Sequence, residues 1–155
     1  GVDPSGYVKG WAAEIAAGVV AGNGFPNVSV NAAGDVSCLG LQAPNQPWAV
    51  GIRHPLHADQ IVRVVQVSNG NVATSGEYER GPHIQNPQRH GAPMALTSAT
   101  VVGPNGGLAD ALATALVIAG SDGVRWFAQL PEWSGYLIAG DTASYFGPAF
   151  ESVVS

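Results

Sequence analysis

Glycine and proline interrupt this chain too often for it to fold as a bundle of long helices. There are 21 Gly and 11 Pro among 155 residues, so turns must be frequent and the elements between them short. The intervening stretches are apolar: hydrophobic residues make up 46% of the chain and charged ones only 11%. Disordered chains are polar and highly charged, so disorder is excluded. At this length a single domain can bury a sizeable core.

Periodicity places the elements. Trp11, Ile15 and Val19 recur at i, i+4 and i+8, predicting a helix over Val8–Ala21 that Gly22-Asn23-Gly24 stops. Val28–Asn31, Trp48–Ile52 and Ile61–Val67 read as strands. Ser68-Asn69-Gly70-Asn71 is a strong turn signal, which makes Val72–Thr74 the expected hairpin partner of Ile61–Val67. Gly81–Pro93 reads as a loop and Leu96–Val102 as a strand. Leu108–Ala119 and Gly123–Leu130 read as helices, Tyr136–Ala139 as a strand, and Asp141–Ser144 as a turn into a final segment. Hairpin signals mixed with a few helices imply an α+β domain, an antiparallel sheet with packed helices.

The formal net charge is -5, and Lys9 is the only lysine beside five scattered arginines. With no basic stripe, nucleic-acid binding is not expected. A polyanionic ligand would need helix ends, backbone amides or a metal ion. Cys38 is the single cysteine, which excludes an intrachain disulfide and a Cys-rich zinc site and suits a small buried side chain. Residues 1–155 are expected to contain no signal peptide and no transmembrane stretch.

Five short segments could carry chemistry. In Leu108–Ala119, the residues Leu108, Leu112, Leu116 and Ala119 form one stripe. Asp110 and Thr114, four apart, lie on the opposite face. On spacing alone this pair is either a solvated face with Asp110 stabilising the first turn, or a hard-cation site whose oxygen ligands suit Mg2+. Asp3–Gly10 leads into the first helix, where free N–H groups and Lys9 could receive an anion, or simply form a capped helix start. Asn31-Ala32-Ala33-Gly34-Asp35 is a small-residue turn. Ala73-Thr74-Ser75-Gly76 offers hydroxyls for phosphate or for capping a turn. His83 lies between turn residues; His54, His57 and His90 have no metal-ligand spacing and read as surface residues.

The order of these segments resembles the ApbE family. Asp3-Pro4-Ser5-Gly6-Tyr7-Val8-Lys9-Gly10 is similar to the family's D-x-G/S-G-x-x-K-G, and Asn31–Asp35 to its N-x-G-G-D turn. Val72–Tyr78 is similar to A/S-T-S-G-D/S-Y, His83-Ile84-Gln85-Asn86-Pro87 to H-I-I-D-P, and Ala109–Leu116 to A-D-A-L-x-T-A-L. The resemblance implies an ApbE-like (T-fold-like) domain and an FAD:protein FMN transferase. Such an enzyme moves FMN from FAD to a Thr or Ser hydroxyl of a target flavoprotein, with AMP leaving.

The resemblance further implies Mg2+ on Asp110, Thr114 and the carbonyl of Val8. It places Ser5, Gly6, Lys9, Gly10, Glu14, Thr74, Ser75 and His83 where the family holds FAD, with Asp110 and His83 as candidate bases. Glu14 stands where Asp is usual, Asn86 replaces an Asp, and the following loop is one residue longer than the family pattern. Family members are about twice this size, so residues 1–155 are expected to be a carboxy-terminal part lacking the amino-terminal region, which could also be a separate partner chain. An FAD-binding module or subunit without transferase activity of its own is the alternative. The cell envelope and the cytoplasm are both compatible compartments.

Overall fold

The computed structural model describes residues 3–76 and 96–151. Its centre is β5 (Gly70–Gly76), which is largely buried because helices cover one face of it and a hairpin covers the other. β5 is flanked on one side by β2 (Asp35–Leu39) and then β1 (Val28–Ala32). On the other side come β6 (Ser98–Gly103), β7 (Ser134–Ala139) and β8 (Thr142–Phe146). The order β1-β2-β5-β6-β7-β8 is antiparallel at every pairing. This is the α+β architecture expected from the sequence.

Two pairings differ from expectation. Ile61–Val67 forms a strand, β4, but its partner is β3 (Trp48–Arg53), not Val72–Thr74. The turn at Ser68–Asn69 instead carries the chain out of this two-stranded sheet and into the centre of the larger one. The second difference is β2, of which the sequence marks only Asp35, at the end of a turn. Side chains of a strand alternate between faces. With layers on both faces, Asp35, Val36, Ser37 and Cys38 are all buried, so no polar-apolar alternation marks the strand. Asp141–Ser144 likewise contributes to β8 rather than ending at a turn, and a short helix, α4 (Pro148–Glu151), follows it.

One core lies between the large sheet and the β3–β4 hairpin, joining Val36, Cys38, Ile52, Val65, Val72, Tyr136 and Phe150. A second lies under α2 (Gly106–Ala119) and α3 (Ser121–Phe127), where Ala109, Ala113, Leu116, Val117 and Phe127 meet Ala73, Ala99, Val101 and Leu137. Cys38 is free and fully buried, as expected, and burial raises its thiol pKa. No helix among the described residues is long and apolar enough to cross a membrane.

α1 (Ser5–Gly22) packs against α2 through small residues, and starts earlier than its periodicity predicts. The helices touch at Gly10 and Gly106. A Cβ on Gly10 would meet the Gly106 carbonyl oxygen, and a Cβ on Gly106 would meet the Gly10 carbonyl oxygen. Only glycine at both positions permits backbones this close.

Candidate functional site

The helix pair and the sheet bring together five charged or hydroxyl-bearing side chains: Lys9, Asp35, Ser75, Asp110 and Thr114. Asp110 is on α2, but not on a solvated face: it is 2% exposed, whereas Leu108, expected on the buried stripe, is 48% exposed. The buried face of α2 is drawn by alanines. Ala109 and Ala113 let α2 settle onto β5 and β6, and this rotation carries Asp110 inward toward α1. Nor is Asp110 in the first turn. α2 begins at Gly106 and is capped by Asn105, whose side chain accepts a hydrogen bond from Leu108 N at 2.8 Å.

Asp35, which ends the Asn31–Asp35 turn, completes the cluster. Lys9 Nζ lies 2.9 Å from Asp35 Oδ2. That oxygen has no well-directed hydrogen bond, so the contact is a proximity of charges. Asp35 Oδ1 accepts from Thr74 N at 3.4 Å. Asp110 Oδ2 accepts a long bond, 3.5 Å, from Gly10 N. The cluster thus holds two buried carboxylates against one ammonium. Burial first, and then the Asp35 charge, push the Asp110 pKa up to about 6, against the opposing pull of Lys9 and of the Gly10 amide. A buried acid in this state favours an additional cation.

Thr114 lies one turn along α2, and its Oγ1 is 3.0 Å from Ser75 Oγ on β5. Gly6 reaches the same hydroxyl from α1: a Cβ there would stand 3.1 Å from Thr114 Oγ1. Gly6 is also the point where α1 departs from helical backbone angles (φ -87, ψ 26). Val8, whose carbonyl the resemblance makes a ligand, lies two residues further along α1, with its side chain exposed.

Several expected contacts have other partners. Ser5 N donates to Asp3 Oδ1, and Tyr7 N and Val8 N both donate to the Pro4 carbonyl. The start of α1 is therefore not the row of free amides expected from its sequence. Glu14 Oε2 accepts from Gly106 N at 2.9 Å, tying α1 to the amino end of α2. Thr74 and Ser75 point to opposite faces of β5. Ser75 faces Thr114, while Thr74 Oγ1 pairs with Thr100 Oγ1 at 2.8 Å and lines a cavity of about 810 Å³ beneath the β3–β4 hairpin. That cavity, bordered also by Asn31, Gly34 and Arg53, is separated from Asp110 by the sheet. His83 lies outside the described residues.

The donor set suits a hard cation: the Asp110 carboxylate, the Thr114 hydroxyl, a nearby glycine backbone, and an Asp35 oxygen that lacks a directed partner. Among the described residues no three His, Cys, Asp or Glu side chains gather as a metal cage. Oxygen donors of this kind are of the type that hard cations take.

An antiparallel α+β domain with an oxygen-rich, anionic side-chain cluster between its paired helices and its sheet is the class that the fold and the site define. The ApbE family pattern matches residues 1–137, and the chain belongs to the ApbE family. It is 34% identical over 130 residues to the FAD:protein FMN transferase of Rhodobacter capsulatus, covering 78% of this chain and 24% of that one. It is 32% identical over 155 residues to the FAD:protein FMN transferase of Salmonella typhimurium, covering 87% and 44%. The crystal structure of the ApbE protein of Thermotoga maritima superimposes with a TM-score of 0.83 at 27% identity, covering 97% of this chain and 52% of that one. The chain thus spans half or less of the length of these curated relatives.

Proposed function

We propose that residues 1–155 form the carboxy-terminal, cation-holding part of an Mg2+-dependent FAD:protein FMN transferase. The observation that carries this reading is the buried Asp110, facing Asp35 and Lys9, one helical turn from Thr114. Asp110 Oδ and Thr114 Oγ1 would hold Mg2+, with a backbone carbonyl of the α1 start as a further ligand. The resemblance puts this carbonyl at Val8, and Gly6, at the kink against Thr114, lies two residues before it. Bound there, the ion would neutralise charge on the FAD pyrophosphate and orient it.

The reaction is a phosphoryl-type displacement. The acceptor Thr or Ser oxygen bonds to the FMN phosphorus, the bond from that phosphorus to the bridging oxygen breaks, and AMP leaves with the electron pair. The acceptor proton must go to a base, for which Asp110 and His83 are the candidates on this chain. Ser75 orients the Thr114 hydroxyl. Lys9 limits repulsion between the carboxylates before the ion binds. Ser5, Gly6 and Gly10 keep the α1 backbone close to the site, where FAD phosphates would approach. Glu14, through Gly106 N, fixes the two helices that carry the ligands. Thr74 serves from the other face of the sheet.

The reading is tested on the complete protein with FAD, Mg2+ and a candidate acceptor flavoprotein. Intact-mass spectrometry should show a gain equal to FMN, lost in Asp110→Ala. Tight FAD binding with no mass gain on any acceptor from the same genome would favour an FAD-binding module instead.

A further inference from the structure

Beneath the β3–β4 hairpin lies the cavity of about 810 Å³, which takes no part in the cation cluster. Folded cores leave few voids larger than a water molecule, whereas small-molecule sites run to roughly 300–1,000 Å³. The walls have the composition of such a site. Val36, Val50, Ile52 and Val72 supply apolar surface. The polar groups are few, and two are pinned in place. Asn31 Oδ1 accepts from Gly34 N at 2.9 Å, and Thr74 Oγ1 pairs with Thr100 Oγ1 at 2.8 Å. Groups fixed before a ligand arrives lower the cost of binding it.

Charge and shape select the occupant. The chain has 11 acidic side chains against 6 lysines and arginines. Yet no Asp or Glu is among the described residues that line the cavity, and Arg53 is the one charged side chain there. Arg53, Ala58 and Ile61 are exposed and mark where the cavity meets solvent. A guanidinium offers a fork of N–H donors that matches the paired oxygens of an oxyanion. The space behind it is a slot between two β layers, a shape that a flat ring system fills. The ligand that fits is aromatic, with a single oxyanion at the end that reaches Arg53.

We propose that this cavity is a second small-molecule site, which takes an aromatic monoanion and is distinct from the site where FAD and Mg2+ would meet Asp110. Side chains alternate along a strand, and the two sites use opposite faces of the same two strands. Gly34 and Val36 line the cavity while Asp35, between them, faces Lys9. Val72 and Thr74 line it while Ser75 meets Thr114. A ligand in the cavity therefore lies against the strands that carry the cation cluster without sharing a side chain with it. Thr74, which the resemblance gives to FAD, belongs to the cavity wall, so competition with FAD is the outcome that would merge the two sites.

The test is calorimetric titration of anilinonaphthalenesulfonate, an aromatic monoanion, into the complete protein, both alone and saturated with FAD and Mg2+. One site per chain should be found in both cases. Phenylnaphthylamine, the same ring system without the sulfonate, should bind at least about 10-fold more weakly, the scale of one lost charged hydrogen bond. Arg53→Glu should weaken binding of the sulfonate by at least about the same factor. Arg125→Glu, the same charge change on exposed α3 across the sheet, should leave it within about 2-fold. Both variants should keep the far-UV circular dichroism of the wild type. Absence of binding, or loss of the site when FAD is bound, would overturn the proposal. So would equal binding of the uncharged analogue, or undiminished binding by a folded Arg53→Glu protein. The titration without FAD does not depend on group transfer, so a protein that binds the probe as expected and labels no acceptor would sink the transferase reading alone.

Discussion

Asp35 and Asp110, brought together from a strand and a helix 75 positions apart, share a buried cluster with one compensating charge among the described residues, Lys9, 2.9 Å from Asp35. Folding forces these carboxylates close, and the strain of doing so shows in the raised pKa of Asp110.

That pKa makes stability pH-dependent. Asp110 titrates near 3.8 when unfolded and at about 6 when folded, so between these values the folded state binds more protons. Its stability therefore falls as pH rises through this window. In chelator, the urea midpoint should be higher at pH 5 than at pH 7. Asp110→Asn should flatten that difference and stabilise the protein at pH 7 by about 1–3 kcal/mol. A variant that keeps the wild-type pH slope would place the strain elsewhere.

The contact between α1 and α2 has no room for a methyl group. Gly10→Ala and Gly106→Ala should each cost about 3 kcal/mol or more, since backbone rather than a flexible side chain must move. Gly18→Ala, where a Cβ meets nothing, should be neutral or stabilising. Urea denaturation of the three variants checks the ordering.

Glu14 and Gly106 define a second tie between those helices. Glu14→Ala should cost about 1–3 kcal/mol, because it leaves the amide of a partly buried helix start without its acceptor. Glu14→Gln, which keeps an acceptor oxygen, should retain most of that. Equal losses in the two variants would assign the effect to charge and not to the hydrogen bond.

Much of the architecture was legible because periodicity and turn chemistry act locally. The two long helices and the strand at Ile61–Val67 follow from short-range pattern. What failed was the assignment of faces. Leu108 outward and Asp110 inward reverse the usual rule, as do Trp11 and Ile15 outward with Lys9 and Glu14 inward. In both helices alanine and glycine, which give no hydrophobic signal, set the buried side by allowing close approach. The pairing of Asp35 with the Asp110 site was illegible for another reason. It depends on β2 lying beside β5, and β2 carries no alternation to announce it.

Adjacent residues on β5 provide a test of the site's location. Ser75→Ala removes the hydroxyl that meets Thr114 and should weaken divalent-cation binding about 10-fold, in line with loss of a partner that orients a ligand. Thr74→Val removes the hydroxyl that meets Thr100 on the other face. It should lower stability while leaving cation affinity within about 2-fold of wild type, given the distance of such a change from the ligands. Reversal of the two effects in a metal titration would place the site on the wrong side of the sheet.

The most direct measurement is electron paramagnetic resonance of Mn2+, standing in for Mg2+, titrated into the protein in the presence of FAD. One saturable Mn2+ site per chain is expected, abolished by Asp110→Ala and weakened at least about 10-fold by Thr114→Val, the scale expected for loss of ligand-shell groups. Undiminished Mn2+ binding in a folded Asp110→Ala protein would contradict it.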